Sequence, residues 1–225
     1  MEHLQVELDN LRADLSHMLK LVLDQVKRAE RAFMSNEKPV VKEIAATEKL
    51  VNASELQIDS RCETMLALFT PVAVDLRFVL SALKINVNLE RIGDLADSIG
   101  RTVMHTKEGF DKKLLEQAGA DDAFKNSIEM FESLMEAYQK EDTLLARDIF
   151  AKDKVLDTIV RNSVDTVEEY VKNNPPNLTQ GIQLISIMKT LERVGDHLKN
   201  IAEEIIFYAE ARVLKHSARR PEGKQ

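Results

Sequence analysis

The chain contains the same helical phrase twice. The first copy reads LERIGDLADSIG from Leu89, and the second reads LERVGDHLKNIA from Leu191, an offset of 102 residues. Two further segments, which begin at Ala29 and Leu134, align at an offset of 105 residues. Repeats of this length are supersecondary units that bury their apolar faces against one another. The sequence therefore predicts two copies of one structural unit.

Both copies have the periodicity of an amphipathic helix. From Ile85 to Val103, and again from Ile187 to Ile205, apolar residues recur at alternating intervals of four and three residues. This spacing keeps them on one helix face, and the chain has no Asn-Gly or Asp-Gly hairpin signal. We predict an all-α fold of two tandem, similar three-helix bundles. Its six long helices are expected at residues 4–35, 39–69, 72–107, 121–139, 142–173 and 178–214.

Glycine and proline mark the boundaries between these elements. Gly109 and Gly119 bracket the seam between the copies. We place the first bundle at residues 1–110, the second at 119–215, and a flexible, polar tail at 216–225. Thr70 precedes Pro71, which predicts that Thr70 caps the third helix and that Pro71 is its first residue.

Composition limits the classes of function. The net charge of −7 argues against general nucleic-acid binding, because that activity needs a basic surface. The single cysteine, Cys62, excludes an intrachain disulfide and favours a reducing compartment. We find no signal peptide pattern and no apolar run of about 18 residues, the length that indicates a transmembrane helix. We therefore expect a cytoplasmic protein with no membrane-spanning helix.

Carboxylates form rows on the predicted helices of the first copy. Glu90 and Asp94 are four residues apart on the third helix, Asp97 extends their row, and this row lies nearly opposite the apolar stripe. If the second and third helices pack antiparallel, their acidic rows meet. Carboxylates held together repel unless they are protonated or bridged by a cation, and oxygen-rich clusters suit Mg, Ca, Mn or Fe. The row on the second helix comprises Glu48, Asn52, Glu55 and Asp59.

The second copy carries fewer acids. Glu192 and Asp196 repeat the pair on the last helix, but Lys199 stands where Asp97 stood. The matching row on the fifth helix comprises Asp153 and Asp157. A cation site in this copy is therefore expected to be the poorer one.

A structural explanation of the same residues stays open. Acidic rows are commonly solvated helix faces, and Arg91 and Arg193 can pair with the neighbouring acids without any metal. Gly93 and Gly195 lie next to the aspartates inside helices, where glycine costs roughly 1 kcal/mol relative to alanine. A missing side chain there permits close approach of a ligand or tight packing of a neighbouring helix.

Taken together, these motifs resemble the PhoU family of phosphate-uptake regulators. The resemblance covers essentially the whole chain and depends on the tandem repeats, on TPVAVDLR at the start of the third helix, and on the paired LERIGD and LERVGD phrases. It implies a pair of similar three-helix bundles that carry divalent or trivalent metal ions, including multinuclear iron clusters, on E(D)xxxD motifs. The ligands implied by the matching positions are Glu55, Asp59, Glu90 and Asp94 in the first repeat and Asp153, Asp157, Glu192 and Asp196 in the second, with Glu48 and Asp97 as supplementary ligands.

The resemblance also implies a role. Members of the family are cytoplasmic negative regulators of the phosphate-starvation response. They link the phosphate ABC transporter, through its nucleotide-binding subunit, to a sensor histidine kinase. The resemblance thus implies a non-enzymatic adaptor that meets the membrane only through its partners, and a homodimer and a monomer stay open.

Carboxylates on bundle helices also occur in two classes of all-α enzyme. All-α nucleotide pyrophosphatases also place carboxylates on bundle helices to hold Mg²⁺, so a metal-dependent phosphohydrolase is the alternative function. The sequence shows no nearby basic cluster that would bind a polyphosphate. A ferritin-like di-iron oxidase would need Glu-x-x-His pairs on facing helices, and the chain has none.

Overall fold

The protein is a bundle of long helices. The computed structural model describes residues 2–106 and 108–211, and these ranges contain no strand. The long helices are α1 (Glu2–Ser35), α2 (Lys38–Leu68), α3 (Ala73–His105), α5 (Ala120–Lys140), α6 (Thr143–Asn173) and α7 (Leu178–Glu210). A short helix, α4 (Lys112–Gln117), lies in the seam between the repeats, and a 3-10 turn, Pro175–Asn177, precedes α7.

The predicted all-α fold is confirmed, with one difference in the seam and one at the end. The sequence analysis did not predict α4, whose first turn is capped by the Asp111 side chain. The last helix ends at Glu210 instead of residue 214, because Ala211 takes a left-handed conformation with φ of 57°. All other described ends of the long helices lie within two residues of prediction. The predicted tail, residues 216–225, lies outside the described residues.

The predicted cap of α3 is wrong. The helix begins at Ala73, and Val72 is its N-cap residue with an extended backbone and no side-chain cap hydrogen bond. Thr70 and Ala73 both have positive φ, 48° and 47°. The chain therefore turns sharply around a buried Pro71 before the helix starts, and Thr70 is too early to reach the first helical amides.

Within each repeat, the second and third helices pack antiparallel. In the first repeat, Val51 and Val41 of α2 lie against Gly93 and Gly100 of α3, respectively. In the second repeat, Leu156 and Val171 of α6 lie against Gly195 and Gly181 of α7. The apolar stripes of both phrases are buried between these helices, as their periodicity predicted. The acidic residues are thus carried along the α2–α3 and α6–α7 pairs.

The two repeats pack against each other through α3 and α7 and through α1 and α5. Between α3 and α7, the buried Glu204 carboxylate accepts hydrogen bonds from Lys84 Nζ at 3.1 Å and Ser81 Oγ at 3.3 Å. Between α1 and α5, the rings of Phe33 and Phe124 lie 5.5 Å apart. The interface therefore combines aromatic packing with a buried charged contact.

Candidate carboxylate clusters

In the first repeat, Glu48 of α2 lies directly over Gly93 of α3. Its Oε2 atom is 3.1 Å from the position that a β-carbon on Gly93 would take. Gln25 of α1 is fully buried beside it, and Gln25 Nε2 donates a hydrogen bond to Glu48 Oε2 at 2.8 Å. Glycine at this position of α3 therefore admits two polar side chains from two other helices.

Two oxygens of this group have no partner. Gln25 Oε1 and Glu48 Oε1 are buried, and neither meets a donor in hydrogen-bonding geometry anywhere in the described ranges. Buried polar atoms are normally satisfied, and an unsatisfied one costs about 1–3 kcal/mol. The group is therefore an oxygen-rich site with unused acceptor capacity.

Like charges surround the same glutamate. Burial raises the pKa of Glu48 above its ordinary value of 4.5, and the charges of Asp94 and Asp97 raise it further, against the lowering effects of the Gln25 and Asn52 side-chain amides. Burial also raises the pKa of Glu90, with additional contributions from Asp94, Glu55 and Glu48 that oppose the effect of Arg91. The acids of α2 and α3 are thus close enough to repel one another, as the antiparallel packing predicted.

Four other predicted ligands of the first repeat, Glu90, Asp94, Asp97 and Asp59, have protein partners. Arg91 lies between Glu90 and Asp94, at 3.4 and 3.6 Å, and Arg101 pairs with Asp97. Asp59 Oδ1 accepts a hydrogen bond from Asn86 Nδ2 at 2.8 Å, and Glu55 is half-buried one turn away. The arginine pairing that the sequence left open as a structural explanation is therefore present on α3.

In the second repeat, Asp153 of α6 occupies the place of Glu48. Its Oδ1 atom is 3.0 Å from the position of a β-carbon on Gly195, and its side chain is only 5% exposed. Its Oδ2 atom lies 2.6 Å from Lys199 Nζ, which also lies 2.8 Å from Asp196 Oδ1. Lys199 therefore bridges carboxylates of two helices.

The lysine changes the electrostatics of the whole cluster. Burial lowers the pKa of Lys199, but hydrogen bonds to Asp153 and Asp196 outweigh burial and leave the pKa raised. Burial raises the pKa of Asp157, as does the charge of Asp153, while Lys199 lowers it. Glu192 pairs with Lys189 at 2.6 Å. Lysines thus hold three of the four acids in this cluster.

The expectation that the acidic rows face away from the interior is wrong for two members. Asp97 and Asp153 are buried, with 7% and 4% of their surface exposed. Asp153 of α6 lies over Gly195 of α7, where the two helices approach closely, and Asp97 lies on α3 between Gly93 and Gly100 in the sequence. Asp94 and Asp196, which directly follow Gly93 and Gly195, are about half-exposed, as predicted.

Gln25 is the residue that the sequence analysis missed. It interrupts an apolar stripe of α1 that includes Met18, Val22 and Ala29, all of them buried. At the repeat offset of 105 residues, its counterpart is Met130, which lies 3.7 Å from the β-carbon position of Gly195. A polar residue inside a helical apolar stripe was the signal that could have identified it.

The side chains as placed do not form a closed metal cage. Across residues 2–106 and 108–211, no three or more His, Cys, Asp or Glu side chains form a group that could hold a metal ion. The first repeat nevertheless offers an unpartnered glutamate oxygen and half-exposed acids that can rotate. In the second repeat, Asp153 Oδ1 likewise has no hydrogen-bond partner, but Asp153 Oδ2 is already bonded to an ammonium group. Hard cations therefore suit the donors of the first repeat better than those of the second.

None of the helices in the described ranges is long and apolar enough to cross a membrane.

The chain matches known proteins over both repeats. The family model described as "PhoU domain" matches residues 15–103 and again residues 121–205. The Phosphate-specific transport system accessory protein PhoU of Escherichia coli (strain K12) is 28% identical over 210 residues, which are 93% of this chain and 86% of that protein. A homolog of the same name from Pseudomonas putida is 28% identical over 217 residues, which are 96% of this chain and 84% of that protein.

Solved structures agree with the fold. The crystal structure of PhoU from Pseudomonas aeruginosa matches with a TM-score of 0.88 at 27% identity, covering 92% of this chain and 99% of that one. The phosphate transport system regulatory protein PhoU from Streptococcus pneumoniae matches with a TM-score of 0.83, also at 27% identity, covering 94% and 99%. The same domain thus occurs in each half, and the full-length relatives are named as accessory or regulatory proteins. On this evidence, the chain belongs to the PhoU family.

Proposed function

We propose that this protein is a non-enzymatic, cytoplasmic negative regulator of phosphate uptake and of phosphate-starvation signalling. In this role it links the phosphate ABC transporter, through its nucleotide-binding subunit, to a sensor histidine kinase. The observation that carries the proposal is the PhoU domain match in both repeats, together with relatives named as accessory proteins of phosphate-specific transport. Long helices with exposed faces are suited to binding partner helices.

A physical mechanism follows from differential binding. A regulator changes the population of kinase or transporter states only by binding one state more tightly than the other. The packing of the two bundles against each other through α3 and α7 lets one protein present helices of both repeats to such partners. The protein would then need no chemistry of its own.

Deletion of the gene tests the regulatory role. We expect phosphate-starvation genes to be derepressed in phosphate-rich medium, and expression of the intact chain to restore repression. Pull-down assays with the kinase and, separately, with the transporter's nucleotide-binding subunit test the two partners. Normal repression in the deletion strain would contradict the proposal. Turnover of nucleoside triphosphates with Mg²⁺ or Mn²⁺ that is lost in Glu90→Ala would favour the phosphohydrolase alternative.

We further propose that the acids of the first repeat bind a divalent or trivalent cation, iron being one candidate. Support comes from the unpartnered Glu48 oxygen and from the burial, together with repulsion by neighbouring acids, that raises the pKa of Glu48 and Glu90. A bound cation would relieve this repulsion. After side-chain rotation, Glu48, Glu90 and Asp94 would hold the ion. Asp97 would join them by breaking its ion pair with Arg101. Glu55 and Asp59 lie farther along the same pair of helices.

Elemental analysis of purified protein tests the cation site. Changing Glu90 and Asp94 together to alanine should lower the metal content, because both acids of the α3 row are then lost. The matched control is the double change of Asp165 and Glu169 to alanine, since these acids are also four residues apart but lie exposed on α6. Equal metal content in the wild type and in the Glu90/Asp94 variant would show that the acidic row is only a solvated face.

A further inference from the structure

The two repeats differ at one buried charge. At the repeat offset of 102 residues, Asp97 of α3 corresponds to Lys199 of α7, and Gly93 corresponds to Gly195. At the offset of 105 residues, Glu48 corresponds to Asp153. Each repeat thus places one carboxylate over one glycine, at 3.1 and 3.0 Å from the β-carbon position. The two repeats share this geometry. One turn after the glycine, however, the first repeat has the acid Asp97 and the second repeat has the base Lys199.

Lys199 occupies the position that a bound cation would take. Its ammonium group lies 2.6 Å from Asp153 Oδ2 on α6 and 2.8 Å from Asp196 Oδ1 on α7. Asp153 is 5% exposed and Lys199 is 28% exposed, so the contact is largely removed from water. A buried carboxylate requires a compensating partner, and here the chain itself supplies it.

A second lysine strengthens the difference between the repeats. Lys189 pairs with Glu192 at 2.6 Å, and its counterpart in the first repeat is the apolar Val87. Glu48 of the first repeat, which is partly buried, has by contrast a neutral partner, Gln25 at 2.8 Å. An incoming metal ion would have to displace an ammonium group from Asp153 in the second repeat, but no cation from Glu48 in the first.

We propose that Lys199 is a built-in cation of the second repeat, which keeps this carboxylate cluster free of metal and restricts metal binding to the first repeat. This proposal rests on the cation site proposed above for the acids of the first repeat. It concerns the corresponding acids of the second repeat, Asp153 and Asp196, which already bind an ammonium group. It makes Lys199 the residue that determines which repeat binds metal.

Mn²⁺ titration of the full chain tests this proposal, by isothermal calorimetry and by the electron paramagnetic resonance signal of free Mn²⁺. Lys199→Asp copies the residue of the first repeat, and Lys199→Met removes the charge while keeping a long side chain. Both variants should bind additional Mn²⁺, with affinity in the second repeat raised about tenfold or more. Adding Asp153→Asn should abolish that gain. Lys199→Arg keeps the cation and should bind no more Mn²⁺ than the wild type.

Two results would overturn the proposal. One is a loss of Mn²⁺ binding when Asp153→Asn is made alone in the wild type, since the second repeat would then bind metal despite Lys199. The other is the absence of any gain in Lys199→Met with its helix content, measured by circular dichroism, intact. Failure of the first-repeat site gives a different result, because the wild type would then bind no Mn²⁺ while the gain in the Lys199 variants would still be measurable.

Discussion

The Oε2 atom of Glu48 lies 3.1 Å from the place where a β-carbon on Gly93 would stand. The second repeat contains the same relationship between Asp153 and Gly195, at 3.0 Å. In both repeats, glycine in the middle of a helix creates the space for a carboxylate that arrives from the neighbouring helix. The glycines of the repeated phrase therefore allow close packing of a polar side chain. Each glycine destabilises its helix by about 1 kcal/mol relative to alanine.

Filling this space in the second repeat should destabilise the protein. In Gly195→Ala the new β-carbon would lie 2.9 Å from Leu156 Cδ2 and 3.0 Å from Asp153 Oδ1, and both of these side chains are buried. We expect the free energy of unfolding to fall by about 1–3 kcal/mol, because overpacking outweighs the gain in helix propensity. Urea denaturation measures the change. The control, Ser186→Ala at an exposed position of α7, should change stability by less than about 0.5 kcal/mol.

The acids of the first repeat should make stability depend on pH. The folded-state pKa values of Glu48 and Glu90 are raised above 4.5, so folding favours their protonated forms. Their contribution to stability is fully present below about pH 4.5 and is lost as pH rises through the raised values. Glu48→Gln and Glu90→Gln should therefore lose less stability than the wild type between pH 4.5 and about pH 7.

Denaturation curves at a series of pH values test this expectation. Ser186→Ala, which alters no titratable group, serves as the control and should follow the wild type. A glutamine variant that loses stability as steeply as the wild type over this range would show that the glutamate it replaces does not favour its protonated form in the folded protein.

The buried contact between the repeats should contribute to stability. Lys84→Met removes the ammonium group that donates to Glu204 across α3 and α7, while Glu204 stays buried. We expect a loss of about 1–3 kcal/mol, the cost of weakening the hydrogen bonding of a buried carboxylate. Lys125→Met breaks an exposed pair with Asp121 and should cost less than about 1 kcal/mol. If both variants lost the same free energy of unfolding, burial of Glu204 would not make its contact with Lys84 more stabilising than an exposed ion pair.

The start of α6 offers a test of helix capping. The Asp142 side chain accepts hydrogen bonds from the backbone amides of Leu144 and Leu145, at 2.8 and 3.1 Å. Asp142→Ala should lower stability by about 1 kcal/mol, because two amides of the first turn lose their partner. Asp142→Asn retains an acceptor and should stay close to the wild type. Thermal unfolding of the two variants would measure the difference, and identical melting temperatures would contradict the capping role.

The positions of the long helices could be predicted from the sequence because they depend on the spacing of nearby residues. The intervals of four and three residues between Ile85 and Val103 determine which face of α3 is apolar, and glycine and proline mark where elements end. The family match over both repeats confirms the tandem fold that the repeated phrase predicted. The error at Thr70 arose because the chain turns at Thr70 and Ala73, both with positive φ, so that the helix starts two residues after Pro71, and no short motif encodes that turn.

Only the tertiary structure determined which carboxylates are buried and which side chains they contact. The sequence placed Glu48, Asp97 and Asp153 in acidic rows and noted Lys199 as a departure, but spacing along one helix cannot tell whether another helix covers a side chain. Packing of α1 brought Gln25 to Glu48, and packing of α6 on α7 brought Asp153 to Lys199. Helical periodicity is a property of consecutive residues, whereas burial and charge pairing depend on the register between helices, which only the packed structure sets.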